Sequence, residues 1–227
     1  MKYPNLNEEK KLWGKGFKRV VGLDEAGRGS LAGPVVAAAV LIKKFPISEF
    51  LRVETKGKKR YISSPSSFKF LNIKDSKKLS PKKREEFYKI LTKHPNIEWG
   101  VGRVSEKVID KINILEATKL AMIKAIKKLK RKPDFLILDG NFTIDLGIPQ
   151  KPIIKADEKV FSCSAASIIA KVTRDRIMVR YHKKYPQYRF NMHKGYPTKY
   201  HCKMIRKYGP CKIHRKTFYP VKTCKLK

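Results

Sequence analysis

Four acidic residues stand out by what precedes them. Asp24 and Glu25 follow the apolar run VVGL, Asp139 follows FLIL, and Asp157 follows PIIKA, so three separate segments each deliver a carboxylate at the end of an apolar stretch. Strand ends are common places for sites in α/β proteins. If these carboxylates converge, mutual repulsion raises at least one of their pKa values, and divalent, oxygen-loving cations relieve it. Two such ions about 4 Å apart activate water and stabilise the leaving oxygen of a phosphodiester. All-oxygen ligation suits two Mg2+ ions, with Mn2+ a workable substitute. Each residue also has a plainer reading, since an Asp before Gly at a strand end is commonly a turn residue. Adjacent Asp24 and Glu25 pose a geometric difficulty, because neighbours in an ideal strand point to opposite faces. Both serve one site only if the strand ends there and the chain turns, which Gly27 and Gly29 permit.

The same two glycines flank Arg28. Without Cβ atoms they let main-chain N–H and C=O groups come close enough to a ligand to probe a ribose 2′-hydroxyl, with Arg28 on a phosphate. The bland alternative is a tight turn with an exposed arginine. Charge argues for a polyanionic partner: the 227 residues carry 54 Lys plus Arg against 19 Asp plus Glu, a net +35. Self-repulsion of that size favours a partner that neutralises it, and nucleic acid is the obvious one.

The elements that must position these groups alternate. Arg19–Leu23 and Val35–Ile42 read as strands joined by the Gly- and Pro-containing turn AGRGSLAGP. Pro81–Lys93, behind Ser80 in cap position, reads as a helix, and Ile97–Val104 as a strand. A helix is expected over Ile114–Lys130, where Leu115, Met122, Ile126 and Leu129 share a face. Phe135–Leu138 and Ile153–Ile154 are short strand candidates. The segment after Ser162 and the stretch Thr198–Lys207 read as helices. This is an α/β pattern: one domain over 1–227, a core at about 15–180, a Ser-, Lys- and Gly-rich candidate insertion at 46–72, and a helical portion at about 181–227.

Apolar residues make up 41% of the chain, enough for a core. The longest nearly apolar run, Leu31–Ile42, falls short of the roughly 20 residues a membrane helix needs. No secretory signal opens the sequence, so a cytoplasmic location and no membrane partner are expected. Cys163, Cys202, Cys211 and Cys224 show no CxxC pair, and a zinc site from Cys211, His214 and Cys224 is the weaker reading beside reduced thiols.

At this point the residues resemble a known family. GLDEAGRGSLAGPVVAAAV (22–40) is similar to the N-terminal signature of type 2 ribonuclease H, ribonuclease HII. The matching blocks DSKKLS (75–80), INILEAT (112–118), LDGN (138–141), KAD (155–157), SAASIIAKVTRDR (164–176), HKGYPT (193–198) and GPCKIHRKTF (209–218) follow in order. The resemblance implies a ribonuclease H-like fold, with a central mixed β-sheet flanked by helices and a helical C-terminal extension. It implies Asp24, Glu25, Asp139 and Asp157 as the catalytic, metal-binding four, with Mg2+ or Mn2+. It implies Gly27, Arg28 and Gly29 as the sensor of the 2′-hydroxyl at an RNA to DNA junction, Tyr196 packing on the adjoining deoxyribose, and Lys77 on a backbone phosphate. Read alone, Tyr196 is a packing residue and Lys77 a surface lysine. Arg28 itself points to type 2, since the type 3 relatives place a threonine near that position. The implied activity is metal-dependent endonucleolytic cleavage of the RNA strand of RNA/DNA hybrids and of duplex DNA at embedded ribonucleotides, leaving 3′-hydroxyl and 5′-phosphate ends, by a monomer. Asp175 is expected to be a structural ion-pair partner, and His193 and His214 are not needed as bases. Three departures stand out: Ser30 where the family usually has Pro, a long span between Asp24 and Asp75, and unusual basicity. Competing readings are a non-catalytic basic binder on a nuclease-like fold and a two-metal nuclease acting on DNA alone.

Overall fold

The computed structural model describes residues 4–43, 52–55, 58–61 and 79–224. A five-stranded sheet has the order β5-β2-β1-β6-β7. Its strands are β1 (Val20–Ala26), β2 (Val35–Ile42), β5 (Ile97–Val104), β6 (Phe135–Asp139) and β7 (Gln150–Ile153). β1, β2 and β5 form an antiparallel meander, whereas β6 pairs parallel to β1 and β7 parallel to β6. The sheet is therefore mixed. Of the candidate insertion at 46–72, strands β3 (Arg52–Thr55) and β4 (Lys58–Tyr61) pair antiparallel in a sheet of their own, and its other residues lie outside those described.

All eight residues of β2, VVAAAVLI, are buried, because helices cover both faces. Ala38, Val40 and Ile42 face α4 (Phe161–Lys184) and α2 (Pro81–Lys93). Val21, Leu23, Ala37, Ala39 and Leu41 face α3 (Glu106–Ile126). The alternation sends Gly22 toward α4, and a Cβ there would come within 2.6 Å of the main-chain nitrogen of Cys163. The absence of that carbon lets α4 press against the strand that carries Asp24.

Sequence expectation and structure agree closely for α2, whose cap Ser80 accepts from the N–H of Lys83, and for α6 (Lys199–Tyr208), capped by Thr198 through the N–H of His201. Three differences are informative. β1 does not stop at Leu23 but runs through Ala26, so Asp24 and Glu25 lie inside a strand, opposite Ala38 and Ala37. β7 ends at Ile153, and Ile154 is exposed beyond it. Helix α3 begins eight residues before Ile114, with a break at Asn113, whose φ is 65° and whose side chain accepts from Leu115 and Glu116 as a cap for the second half. The expected start at Ile114 is that second half.

The N-terminal helix α1 (Asn7–Gly14) has no apolar stripe that announces it, yet it places Glu9 in the interior. One Glu9 carboxylate oxygen accepts from the N–H of Ser162 at 2.9 Å, in the first turn of α4. Burial pushes its pKa up to about 7, against the pull of that bond.

Candidate active site

Three chain segments deliver the carboxylates to one end of the sheet. Asp24 comes from β1 and Asp139 from the last position of the parallel neighbour β6. Asp157 comes from a 3₁₀ turn, Ala156–Glu158, that follows Lys155 in the left-handed conformation. Asp139 fixes that turn by accepting from the N–H of Ala156 at 2.7 Å. One ligand oxygen from each of Asp24, Asp139 and Asp157 lies within 4.8 Å of the other two, the one such group among the described residues.

Asp24 and Asp157 are buried. The Asp24 carboxyl is held well above its usual range, first by desolvation and then by the charges of Glu25, Asp139 and Asp157, and a hydrogen bond with Ser167 of α4 opposes the rise. Like charges gathered in a buried pocket, all with hard oxygen donors, fit divalent cations and are costly without them.

Glu25 falls outside this group of three. Because β1 continues past it, its side chain leaves on the other face, where one carboxylate oxygen stands 3.4 Å from the Arg28 guanidinium. It remains near enough that its charge is the strongest acidic influence on Asp24. The expectation that a turn brings both neighbours to one point is thus corrected: the strand persists and the two acids diverge.

The turn 27–29 carries Arg28, exposed, over the ring of Phe142 at 5.7 Å. The two glycines have different reasons to be glycine. Gly27 has φ +99°, and a Cβ there would sit 2.0 Å from Nε of the buried Arg174. Packing alone accounts for it. Gly29 is exposed, and a Cβ there would meet nothing within 4 Å. The protein leaves room at Gly29 for something outside itself.

Tyr196 is half-buried, with Lys171 Nζ 5.5 Å and the Arg174 guanidinium 5.6 Å from its ring centroid. Its main chain rests on an unforeseen relay. The N–H of Cys211 donates to His214 Nδ1 at 2.9 Å, so the His214 proton sits on Nε2, 3.1 Å from His201 Nε2. His201 then carries its proton on Nδ1 and donates it to the Tyr196 carbonyl at 2.9 Å. Both rings must be neutral for this to hold, and burial lowers the pKa of His201 to about 4 and of His214 to about 3. Cys211 Sγ lies 3.2 Å from His214 Nδ1 as a thiol, its pKa raised to about 11 by burial. This corner is a hydrogen-bonded core, not a zinc site. Asp175 pairs with Lys171 within α4 at 2.8 Å. Lys77 lies outside the described residues.

Sequence reasoning missed Ser167, Arg174 and Arg215 as contributors. Ser167 and Arg174 lie in the block SAASIIAKVTRDR and Arg215 in GPCKIHRKTF, but nothing in residue type separates a buried arginine from the many surface ones.

No helix among the described residues is long and apolar enough to cross a membrane. The family model for ribonuclease HII matches residues 21–221. Ribonuclease HII of Chlamydia muridarum (strain MoPn / Nigg) is 47% identical over 208 residues, covering 92% of this chain and 85% of that protein. The crystal structure of ribonuclease H2 from Pyrococcus horikoshii OT3 superposes with a TM-score of 0.67 at 27% identity, covering 91% of this chain and 96% of that one. The Archaeoglobus fulgidus RNase HII, solved in a complex with PCNA, gives a TM-score of 0.67 at 26% identity, covering 92% and 96%. The mixed sheet with flanking helices is accordingly a ribonuclease H-like fold. A match over nearly the whole chain, with relatives close to half identical, shows that the chain belongs to the ribonuclease HII family, endoribonucleases that act on RNA/DNA hybrids.

Proposed function

We propose that the protein hydrolyses the phosphodiester backbone at ribonucleotides, in hybrids and singly embedded in duplex DNA, leaving 3′-hydroxyl and 5′-phosphate ends. Asp24, Asp139 and Asp157 would hold the divalent ions, Mg2+ by preference with Mn2+ as substitute. The observation that carries this reading is the convergence of these three acids, two of them buried, within 4.8 Å of one another in a chain of net +35. Bound ions supply an activated water and stabilisation of the departing oxygen. The protein's own groups do the rest. Asp139 orients the turn that carries Asp157, and Ser167 holds Asp24 in place. Glu25, the fourth acid of the proposed set, lies close enough to sense the ions' charge and tethers Arg28.

Substrate recognition is assigned to Gly27, Arg28 and Gly29 at the 2′-hydroxyl and its phosphate, to Tyr196 on the neighbouring sugar, and to Lys77 on the backbone. The open space over Gly29 supports the first of these. A groove of about 420 Å3 close to the Tyr196 segment is lined by Arg84, Arg176, Arg180 and Lys194 against Glu85, which pairs with Arg176, and Asp175, leaving a net positive surface for a duplex backbone. The working unit is proposed to be a cytoplasmic monomer.

The test is cleavage of three labelled duplexes in Mg2+: an RNA/DNA hybrid, a DNA duplex with one ribonucleotide, and an all-deoxy control. Cuts in the first two and none in the third support the proposal. An untouched pair overturns it in favour of a non-catalytic binder, and a cut control points to a nuclease of DNA.

A further inference from the structure

Buried arginines ordinarily meet carboxylates. Arg174 of α4 and Arg215 of the C-terminal segment are both fully buried, yet neither has an acid within ion-pair distance among the described residues. They bind main-chain carbonyls instead. Arg215 donates to the carbonyls of Gly27 at 2.7 Å, Arg28 at 2.8 Å and Gly33 at 3.0 and 3.1 Å. Arg174 donates to those of Pro34 at 2.9 Å, Ala32 at 3.1 Å and Lys194 at 2.9 Å. Five of these six carbonyls belong to the connection between β1 and β2, and the sixth lies two residues before Tyr196. The main chain adds cross-ties, with the N–H of Leu31 on the Gly195 carbonyl and the N–H of Arg215 on the Leu31 carbonyl, both at 2.8 Å.

The direction of these bonds has a stereochemical consequence. In a trans peptide the C=O of one residue and the N–H of the next point to opposite sides. With the carbonyls of Gly27 and Arg28 drawn inward onto Arg215, the N–H groups of Arg28 and Gly29 are turned outward. Neither donor has a partner among the described residues. They emerge where Gly29 leaves open space, four and five residues beyond Asp24 of the acidic cluster. Rotating either peptide would strand a buried guanidinium N–H, so the aim of both donors is held stiffly.

We propose that Arg215 is a positioning residue for substrate discrimination: by anchoring the Gly27 and Arg28 carbonyls it aims the Arg28 and Gly29 amides at the sugar and phosphate of a bound ribonucleotide. Arg174 is the second pin, registering the same turn against the Tyr196 segment. The inference rests on the function proposed above and adds to it the side chain that gives the turn its aim.

The test uses the full chain carrying Arg215→Lys, which keeps the charge but not the planar fork of donors. Wild type is assayed first on the single-ribonucleotide and all-deoxy duplexes, and failure there sinks the functional reading rather than this one. With wild type active, Arg215→Lys should lose about a hundredfold in kcat/KM on the ribonucleotide duplex. Its Mg2+-induced rise in melting temperature should stay unchanged, because the carboxylates are untouched. Full activity in a folded variant overturns the proposal, as does a parallel loss of the metal response, which would mean a general structural role. If the variant fails to fold, the wild-type protein decides by NMR in EDTA. The Arg28 and Gly29 amide resonances should shift on adding the ribonucleotide duplex and not the all-deoxy one, and identical responses to both contradict the proposal.

Discussion

Two clusters of like charge, one at the sheet end and one beneath the turn between β1 and β2, are handled in opposite ways. At the sheet end, Asp24, Asp139 and Asp157 crowd like charges together, and Asp24 is pushed toward its neutral form by burial and by its acidic neighbours. Beneath the turn between β1 and β2, Arg174 and Arg215 also crowd like charges together, and burial followed by the nearness of Arg174 lowers the Arg215 pKa to about 9. There, however, carbonyl dipoles receive the guanidinium N–H groups. The satisfied cluster is scaffold, complete within the protein. The acidic one is the proposed site, because cations would balance its electrostatics.

The contrast is broken most severely at Asp24. Asp24→Asn should lower turnover on the order of a thousandfold or more. It should at the same time raise the melting temperature of the metal-free protein, since one member of a repelling group is removed. A variant that is both inactive and less stable than wild type in EDTA would contradict the electrostatic account. The opposite response is expected at the arginines: Arg174→Met removes three hydrogen bonds and leaves the Ala32, Pro34 and Lys194 carbonyls without that donor. A loss of about 3–5 kcal/mol in urea unfolding follows, and a loss below about 1 kcal/mol would show the scaffold reading to be wrong.

A third measurement sharpens the comparison through the relay behind Tyr196. His201 and His214 titrate near 4 and 3 in the folded protein, below the ordinary 6.5. Their contribution to stability is fully present above about pH 6.5 and is lost as pH falls toward those values, on the order of a few kcal/mol in all. Glu9, raised to about 7, works in the opposite sense: its contribution is fully present below about 4.5 and lost as pH rises through 7. Comparing wild type with His214→Gln isolates the histidine part. The variant should show the shallower decline in melting temperature from pH 6.5 to 4, and parallel curves would refute the relay. The smallest effect belongs to Ser30, whose buried hydroxyl finds no partner among the described residues. Ser30→Ala should stabilise the protein by about 1 kcal/mol, read from chemical denaturation.

Much of this was legible in the residues. Cap and period signals located α2 and α6 because Ser80, Pro81 and Thr198 act locally, through bonds within one helical turn. Acids behind apolar runs marked Asp24, Asp139 and Asp157: Asp139 closes β6, Asp24 lies near the end of its parallel neighbour β1, and the turn after β7 brings Asp157 beside them. The departure of Glu25 was not legible. Whether β1 ends at Leu23 or at Ala26 is decided by pairing with Val36 and Ala37 across the sheet, a tertiary effect that local composition does not encode. The buried arginines were hidden for a related reason: their partners are carbonyls, and a carbonyl carries no sequence signature. Helix α1 escaped because its role rests on a single inward acid, Glu9, bonded to a residue 153 positions away.

The measurement that bears most directly on the acidic site is the melting temperature of wild type and Asp157→Asn as Mg2+ is titrated, without substrate. Wild type should rise with ion concentration, gaining about 2.7 kcal/mol at a hundred times the dissociation constant, while Asp157→Asn starts higher in EDTA and responds little. Equal Mg2+-induced shifts in the two proteins would mean that the ions bind elsewhere, and the three carboxylates would not be the cation site.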